Sequence, residues 1–127
     1  MVNELLDLIL LLDTFAICRL APGTGIPPWA TASNIFSITR TSDELSIVCL
    51  QSLVPGEVRC EGGWRCLRVA GTMDFSQVGI LASLVGPLAD ASISVFAIST
   101  FDTDYLLVKQ ADLEKVTIAL RQAGHSL

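Results

Sequence analysis

Ile93-Ser94-Val95-Phe96-Ala97-Ile98, then Ser99-Thr100-Phe101-Asp102-Thr103-Asp104, then Tyr105-Leu106-Leu107-Val108 follow one another in the second half of the chain, and their reading decides the fold. The first block is an apolar run of strand length, the pattern of a strand covered on both faces. The second is a polar connection and the third returns as another strand. Upstream, Trp64 to Val69 is a strand. After Gly71-Thr72-Met73, the Asp74 carboxylate is placed to cap backbone N–H groups, with Gln77 three residues on to reach back. A helix is therefore expected from Asp74, with Val78, Leu81, Ala82, Val85, Leu88 and Ala89 on its inner face. Gly86-Pro87 should kink it, because proline removes a helical hydrogen bond. Downstream, Leu113, Val116, Thr117 and Leu120 form the inner face of a last helix that Gly124 ends as its C′ residue.

The order strand, helix, strand, strand, helix is that of an α+β, ferredoxin-like βαββαβ unit lacking its final strand. An open apolar edge invites aggregation, so another segment should pair with it. Leu5 to Leu12, short and apolar, is the candidate, and Phe15 to Leu20 is read as a separate strand after Asp13-Thr14. Ala21 to Pro28 is a Pro/Gly loop, and Trp29 to Ser33 allows a turn or two of helix with Pro28 at its first position. Ile35 to Arg40 and Leu45 to Leu50 read as a hairpin around Thr41-Ser42-Asp43. Leu53 to Gly63 is mostly connection, with a short strand at Val58 to Cys60.

The chain has 127 residues, 13 acidic and 8 basic, for a net charge of 8 − 13 = −5. Nucleic acid is excluded as a partner, since its binding rests on Lys and Arg neutralising phosphates. Hydrophobic residues at 51% with only 17% charged exclude disorder and point to self-association, a homodimer or larger. The longest apolar run, Leu8 to Leu12, falls far short of the about 20 residues of a membrane helix. Met1 to Asp13 holds no Lys or Arg, so no secretory leader is read there and a cytoplasmic protein is expected. Cys18, Cys49, Cys60 and Cys66 lie 31, 11 and 6 positions apart, without the spacing of a metal grip, and are read as reduced, metal-free, buried small hydrophobes. His125 is read as a polar residue favoured near a helix C-terminus.

Three segments carry a family resemblance. Phe36 to Thr41 followed by Asp43-Glu44-Leu45-Ser46-Ile47-Val48-Cys49, then Gly63 to Val69, and finally Ile98-Ser99-Thr100-Phe101-Asp102-Thr103-Asp104-Tyr105-Leu106-Leu107-Val108 resemble the tandem ACT-domain proteins, small bacterial relatives of the CASTOR amino-acid sensors. The resemblance covers about Phe15 to His125. It implies two ACT units, a degenerate one at 13–61 and a complete one at 62–127 to whose sheet strand 5–12 is added. It further implies a regulatory protein that binds a free amino acid at a domain interface without catalysis. Carried over residue by residue, it assigns the ligand to Asp74, Phe75, Gly79 and Ile80 before the second-unit helix. Ser46, Ile47 and Val48 would face the ligand, and Thr100, Phe101, Thr103 and Asp104 would close the pocket. A helix start suits an α-carboxylate, and the Asp102 and Asp104 carboxylates suit an α-ammonium or a cationic side chain.

By residue type alone, Asp102 and Asp104 are solvated turn residues, Gly79 is a close-packing glycine and Asp74 a helix cap. The resemblance moves Asp104 to the ligand. Trp29 and Trp64 read as core or interface aromatics. Two rival functions stand beside amino-acid sensing. One is a protein-interaction module that regulates a partner enzyme in trans. The other is an acylphosphatase-like hydrolase, but Asn3 and Asn34 are the only asparagines, Gly23-Thr24-Gly25 runs into Ile26-Pro27-Pro28, and no nucleophile–base set or cofactor motif can be assembled.

Overall fold

The structure, a computed structural model, describes residues 5–71 and 78–127. Its elements are β1 (Leu8–Leu20), β2 (Ser37–Arg40), β3 (Leu45–Leu50), β4 (Cys60–Val69), α1 (Ile80–Asp90), β5 (Val95–Ser99), β6 (Asp104–Lys109) and α2 (Leu113–Gln122), with 3-10 turns at Pro28–Thr31, Gln51–Leu53 and Gln110–Asp112. The strands hydrogen-bond in the order β2-β3-β1-β4-β6-β5. By contact the chain divides into a C-terminal unit, Met1–Leu12 with Arg65–Leu127, and an N-terminal unit, Asp13–Trp64.

In the C-terminal unit the strands follow the order of the first part of β1, then β4, β6 and β5. This is the ferredoxin-like arrangement with its missing strand supplied from upstream of the unit. Ala70 N–H donates to the Asp7 carbonyl at 2.8 Å, tying that strand to the end of β4. Its other edge is met by the chain after α2: Ser126 N–H donates to Leu6 C=O (2.9 Å) and Leu8 N–H to Ser126 C=O (2.8 Å), a parallel bridge between Asp7 and Ser126. Leu6 just before β1 and Leu8, Leu67, Val69, Leu106 and Val108 from the strands pack with Ile80, Leu84 and Leu88 of α1 and Val116 and Leu120 of α2. Leu113 joins that packing and Gly124 closes α2 at φ +97°, as read from the sequence. Gly124 N–H donates to Arg121 C=O and His125 N–H to Leu120 C=O, the paired bonds of a Schellman cap.

Three readings of this unit are corrected. Asp74 and Gln77 lie outside the described residues, but α1 starts at Ile80, its N-cap being Gly79 at φ +82°. Of the expected stripe Leu88 is buried and Leu81 and Val85 pack against the core, but the face is centred on Ile80, Leu84 and Leu88, so Val78 is exposed and Ala82 and Ala89 face water. The helix continues through Pro87 to Asp90. Finally β5 is the edge of the sheet and only half-buried. Its apolar run does not mark burial on both faces.

Pro87 has no N–H to give the Ser83 carbonyl four residues earlier. His125 takes that place, its Nε2 lying 3.0 Å from Ser83 O, while its Nδ1 accepts the Leu6 N–H at 3.1 Å. One nitrogen must then carry the proton and the other be bare, which is the neutral Nε2–H imidazole. His125 is 5% exposed. It follows the end of α2 as expected, but it is also a buried clasp joining the segment before β1, α1 and the end of α2.

In the N-terminal unit the second part of β1 pairs antiparallel with β3, from Phe15 opposite Leu50 to Leu20 opposite Leu45. β3 in turn pairs antiparallel with β2, and the Thr41 hydroxyl accepts the N–H groups of Asp43 and Glu44 at the hairpin turn. Asp13-Thr14 does not interrupt β1, which runs unbroken from Leu8 to Leu20. An exposed aspartate is tolerated in a strand whose backbone remains paired. Likewise the strand read at Trp64 to Val69 starts earlier, at Cys60, so that only the last residue of the short strand expected at Val58 to Cys60 belongs to β4. Ala16, Cys18, Ala30, Leu45, Ile47 and Cys49 form this unit's small core. Its only described helices are the 3-10 turns at Pro28–Thr31 and Gln51–Leu53, which makes it the degenerate unit.

Candidate functional site

The β5–β6 hairpin places four of the expected residues in one turn. Ser99 stands opposite Asp104 at the end of the ladder. Thr100 N–H donates to Thr103 C=O (2.9 Å), and the Thr100 hydroxyl both donates to that carbonyl (3.0 Å) and accepts the Thr103 N–H (3.3 Å). Serine and threonine hydroxyls favour turns by bonding nearby backbone in this way. The Thr103 hydroxyl donates to Val69 C=O at 2.9 Å, holding the turn at the C-terminal end of β4, where the chain leaves toward α1.

That double anchorage decides which side chains are presented. Thr103 and Asp104 are buried at 5% and 6% exposure, while Phe101 is 79% exposed and Asp102 faces water. Asp104 is thus a buried carboxylate at the first position of β6, not a solvated turn residue. At the head of α1, Gly79 has a positive φ that L side chains rarely adopt, with no described atom within 4 Å of where its Cβ would stand. Ile80 is buried in the C-terminal core, so only its backbone is on offer. The first N–H groups of a helix have no intrahelical acceptor and sit at the positive end of its dipole. In the N-terminal unit, Ile47 is buried in the core, Val48 is buried and Ser46 is half-buried within β3. Asp74 and Phe75 lie outside the described residues.

Two surface clefts escaped sequence reading because their linings come from distant segments. One, of about 420 Å³, lies in the N-terminal unit among Asp13, Ser33, Asn34, Ile35, Leu50 and Leu53. The other, also of about 420 Å³, lies between α1 and α2 at Pro87, Ala91, Ala119 and Ala123. Among the described residues no group of His, Cys, Asp or Glu is arranged to hold a metal, and no helix is long and apolar enough to cross a membrane.

Comparison with known proteins places this geometry in a family. The ACT-domain family model matches residues 59–122, and a model for an N-terminal domain matches residues 13–57. A crystal structure of an Agobacterium tumefaciens protein is 44% identical, covering 98% of this chain and 93% of that one with a TM-score of 0.94. The cytosolic arginine sensor for mTORC1 subunit 1 of Rattus norvegicus is 35% identical over 108 residues, 79% of this chain and 33% of its own length. Its human counterpart is 38% identical over 65 residues, 50% of this chain and 20% of that protein. The chain therefore spans between a fifth and a third of these relatives. The regulatory subunit of aspartate kinase from Thermus flavus shares the fold at 11% identity, covering 95% of this chain and 99% of that one with a TM-score of 0.66. With the matched family region taking in β4, both helices, β5 and β6, the chain belongs to the ACT-domain family.

Proposed function

We propose that this protein is a non-catalytic cytoplasmic regulator that binds a free amino acid at the turn between β5 and β6. The observation that carries the reading is the buried Asp104 carboxylate, held in place by a turn that is itself anchored to β4 through Thr103. Desolvation raises the worth of a charge-assisted hydrogen bond from an ammonium or guanidinium group to that carboxylate. The ligand's α-carboxylate would meet backbone N–H groups at the head of α1, around Gly79 and Ile80, where the helix dipole favours an anion. Thr100 and Phe101 would close over it from the turn. The names of the arginine-sensor relatives make arginine the first amino acid to test. They also support action on a protein partner, with the ligand modulating that contact.

The test is a thermal-shift screen of the twenty amino acids on the full chain, followed by titration calorimetry. A ligand that binds only the folded state raises the melting temperature. Asp104→Asn should weaken binding by about tenfold or more, roughly 1.4 kcal/mol, because it leaves the ligand's cation without its counter-charge. Asp102→Asn, in the exposed part of the turn, should leave affinity unchanged. Equal affinities for wild type and Asp104→Asn would remove Asp104 from the site. No shift with any amino acid would leave the interaction-module reading in its place. We also propose self-association, supported by exposed apolar side chains such as Ile26 and Ile118. Sedimentation at the 13.6 kDa monomer mass at micromolar concentration would refute it.

A further inference from the structure

Three of the four cysteines meet on one face of the N-terminal unit. Cys18 is on β1, Cys49 on β3 and Cys60 at the start of β4, so β1 lies between the other two strands. Arg19 N–H donates to Arg59 C=O at 3.0 Å. β1 and β4 run antiparallel, since Arg59 just before β4 meets Arg19 near the end of β1 while Ala70 just after β4 meets Asp7 just before β1. In such a pair the Arg19–Arg59 bond marks those residues as opposite one another, so Cys18 stands opposite Cys60 in the adjacent non-hydrogen-bonded position. Such positions bring Cα atoms to about 4.5 Å, inside the roughly 4.4–6.8 Å range of disulfides. Cys49 is placed differently. It pairs with Ala16 while Cys18 pairs with Ile47, so Cys18 and Cys49 are diagonal neighbours. Diagonal positions are about 7–8 Å apart, too far for a disulfide without backbone movement.

The two opposed thiols also differ in access. Cys60 is exposed, whereas Cys18 and Cys49 are buried. Burial first, then the neighbouring Cys49 and Cys60 sulfurs, push the Cys18 thiol up to about 12, and both of those thiols lie within hydrogen-bonding reach of it, so register and exposure are what single out Cys60. Cys18 is therefore a poor first target for an oxidant and is held against one that is accessible. Cys66, in the other unit, is buried and its thiol is pushed up to about 11 by burial.

We infer that Cys18 and Cys60 form an oxidation site, at which a hydroperoxide converts the facing thiols into a cross-strand disulfide between β1 and β4. The Cys60 thiolate attacks the peroxide, an S–O bond forming as the O–O bond breaks, which leaves Cys60 as the sulfenic acid and releases hydroxide. The Cys18 sulfur then attacks the Cys60 sulfur. The S–S bond forms as the S–O bond breaks, and the Cys18 proton leaves with the departing hydroxide as water. Two thiols are oxidised by two electrons and one hydrogen peroxide is reduced to two waters.

The full chain is treated with hydrogen peroxide in its native state, remaining thiols are alkylated after unfolding, and peptides are mapped without reduction. The expected product is a single chain with no covalent link to another, lighter by two hydrogens before alkylation, with Cys18 linked to Cys60 and with Cys49 and Cys66 alkylated. Cys49→Ala should form the same link. Cys18→Ala should lose it entirely and carry Cys60 onward to sulfinic acid, while circular dichroism confirms that each variant is folded. In the wild type, Cys60 passing to sulfinic acid without a link would overturn the assignment. So would a Cys60–Cys60 bond between chains, a Cys18–Cys49 link, or no reaction.

Discussion

Replacing His125 with alanine is expected to cost about 3 kcal/mol of unfolding free energy, since each buried backbone group left without a partner costs about 1–3 kcal/mol. The two groups stranded are the Leu6 N–H and the Ser83 carbonyl, both held by the one imidazole. For a chain of this length the melting temperature should fall by about 10 °C. The clasp also predicts a coupling. Pro87→Ala restores a backbone N–H that can reach Ser83, so His125→Ala should cost at least about 1 kcal/mol less in that background, a non-additivity of the size found for residues sharing a partner. Urea unfolding of the wild type, both single variants and the double variant reads the whole cycle. Additive losses would mean that the imidazole and the helix do not share that carbonyl.

A loss as large is expected at the centre of α1. Leu84 is completely buried among Leu67, Val69, Leu106, Val116 and Leu120. Its truncation to alanine removes apolar contacts and leaves a cavity that rigid strands on one side cannot fill, so about 3–4 kcal/mol should be lost. Leu12 is the control, a leucine of the same chain that is 92% exposed. Leu12→Ala should change stability by less than about 0.5 kcal/mol. Comparable losses for the two variants in denaturant unfolding would refute the packing described for α1.

What could be read from the sequence was what local chemistry determines. The β2–β3 hairpin was legible because Thr41-Ser42-Asp43 carries its own turn-forming hydroxyl. The end of α2 was legible because Gly124 supplies the left-handed residue that a Schellman cap needs. The hairpin around Thr100 to Thr103 was legible as a polar connection, but not that it draws Asp104 inward, because the anchor is the Val69 carbonyl far back in the chain. The start of α1 was misplaced because Asp74 and Gln77 match a capping pattern, while Gly79 gives no periodic signal. An apolar run such as that of β5 carries no mark of its place in a sheet, so an edge strand was read as a central one. The clasp made by His125 was missed for the same kind of reason: its partners are 42 and 119 residues away. The opposition of Cys18 and Cys60 is likewise a matter of strand order and register, which the spacing of cysteines along a chain does not encode.

The way β1 is shared has a consequence for the order of events during synthesis. Asp13–Trp64 is one contiguous stretch, and its strands can find one another as soon as they are made. The segment before it cannot settle so early, because Leu6 and Leu8 are bonded to residues 125 and 126. Closing so long a loop carries an entropic cost that local contacts do not repay, and contacts of this range slow folding. One edge of Leu8 to Leu12 can pair with β4 as that strand emerges, but its other side stays open on the ribosome until the chain after α2 has been translated, and in that interval a chaperone would protect it.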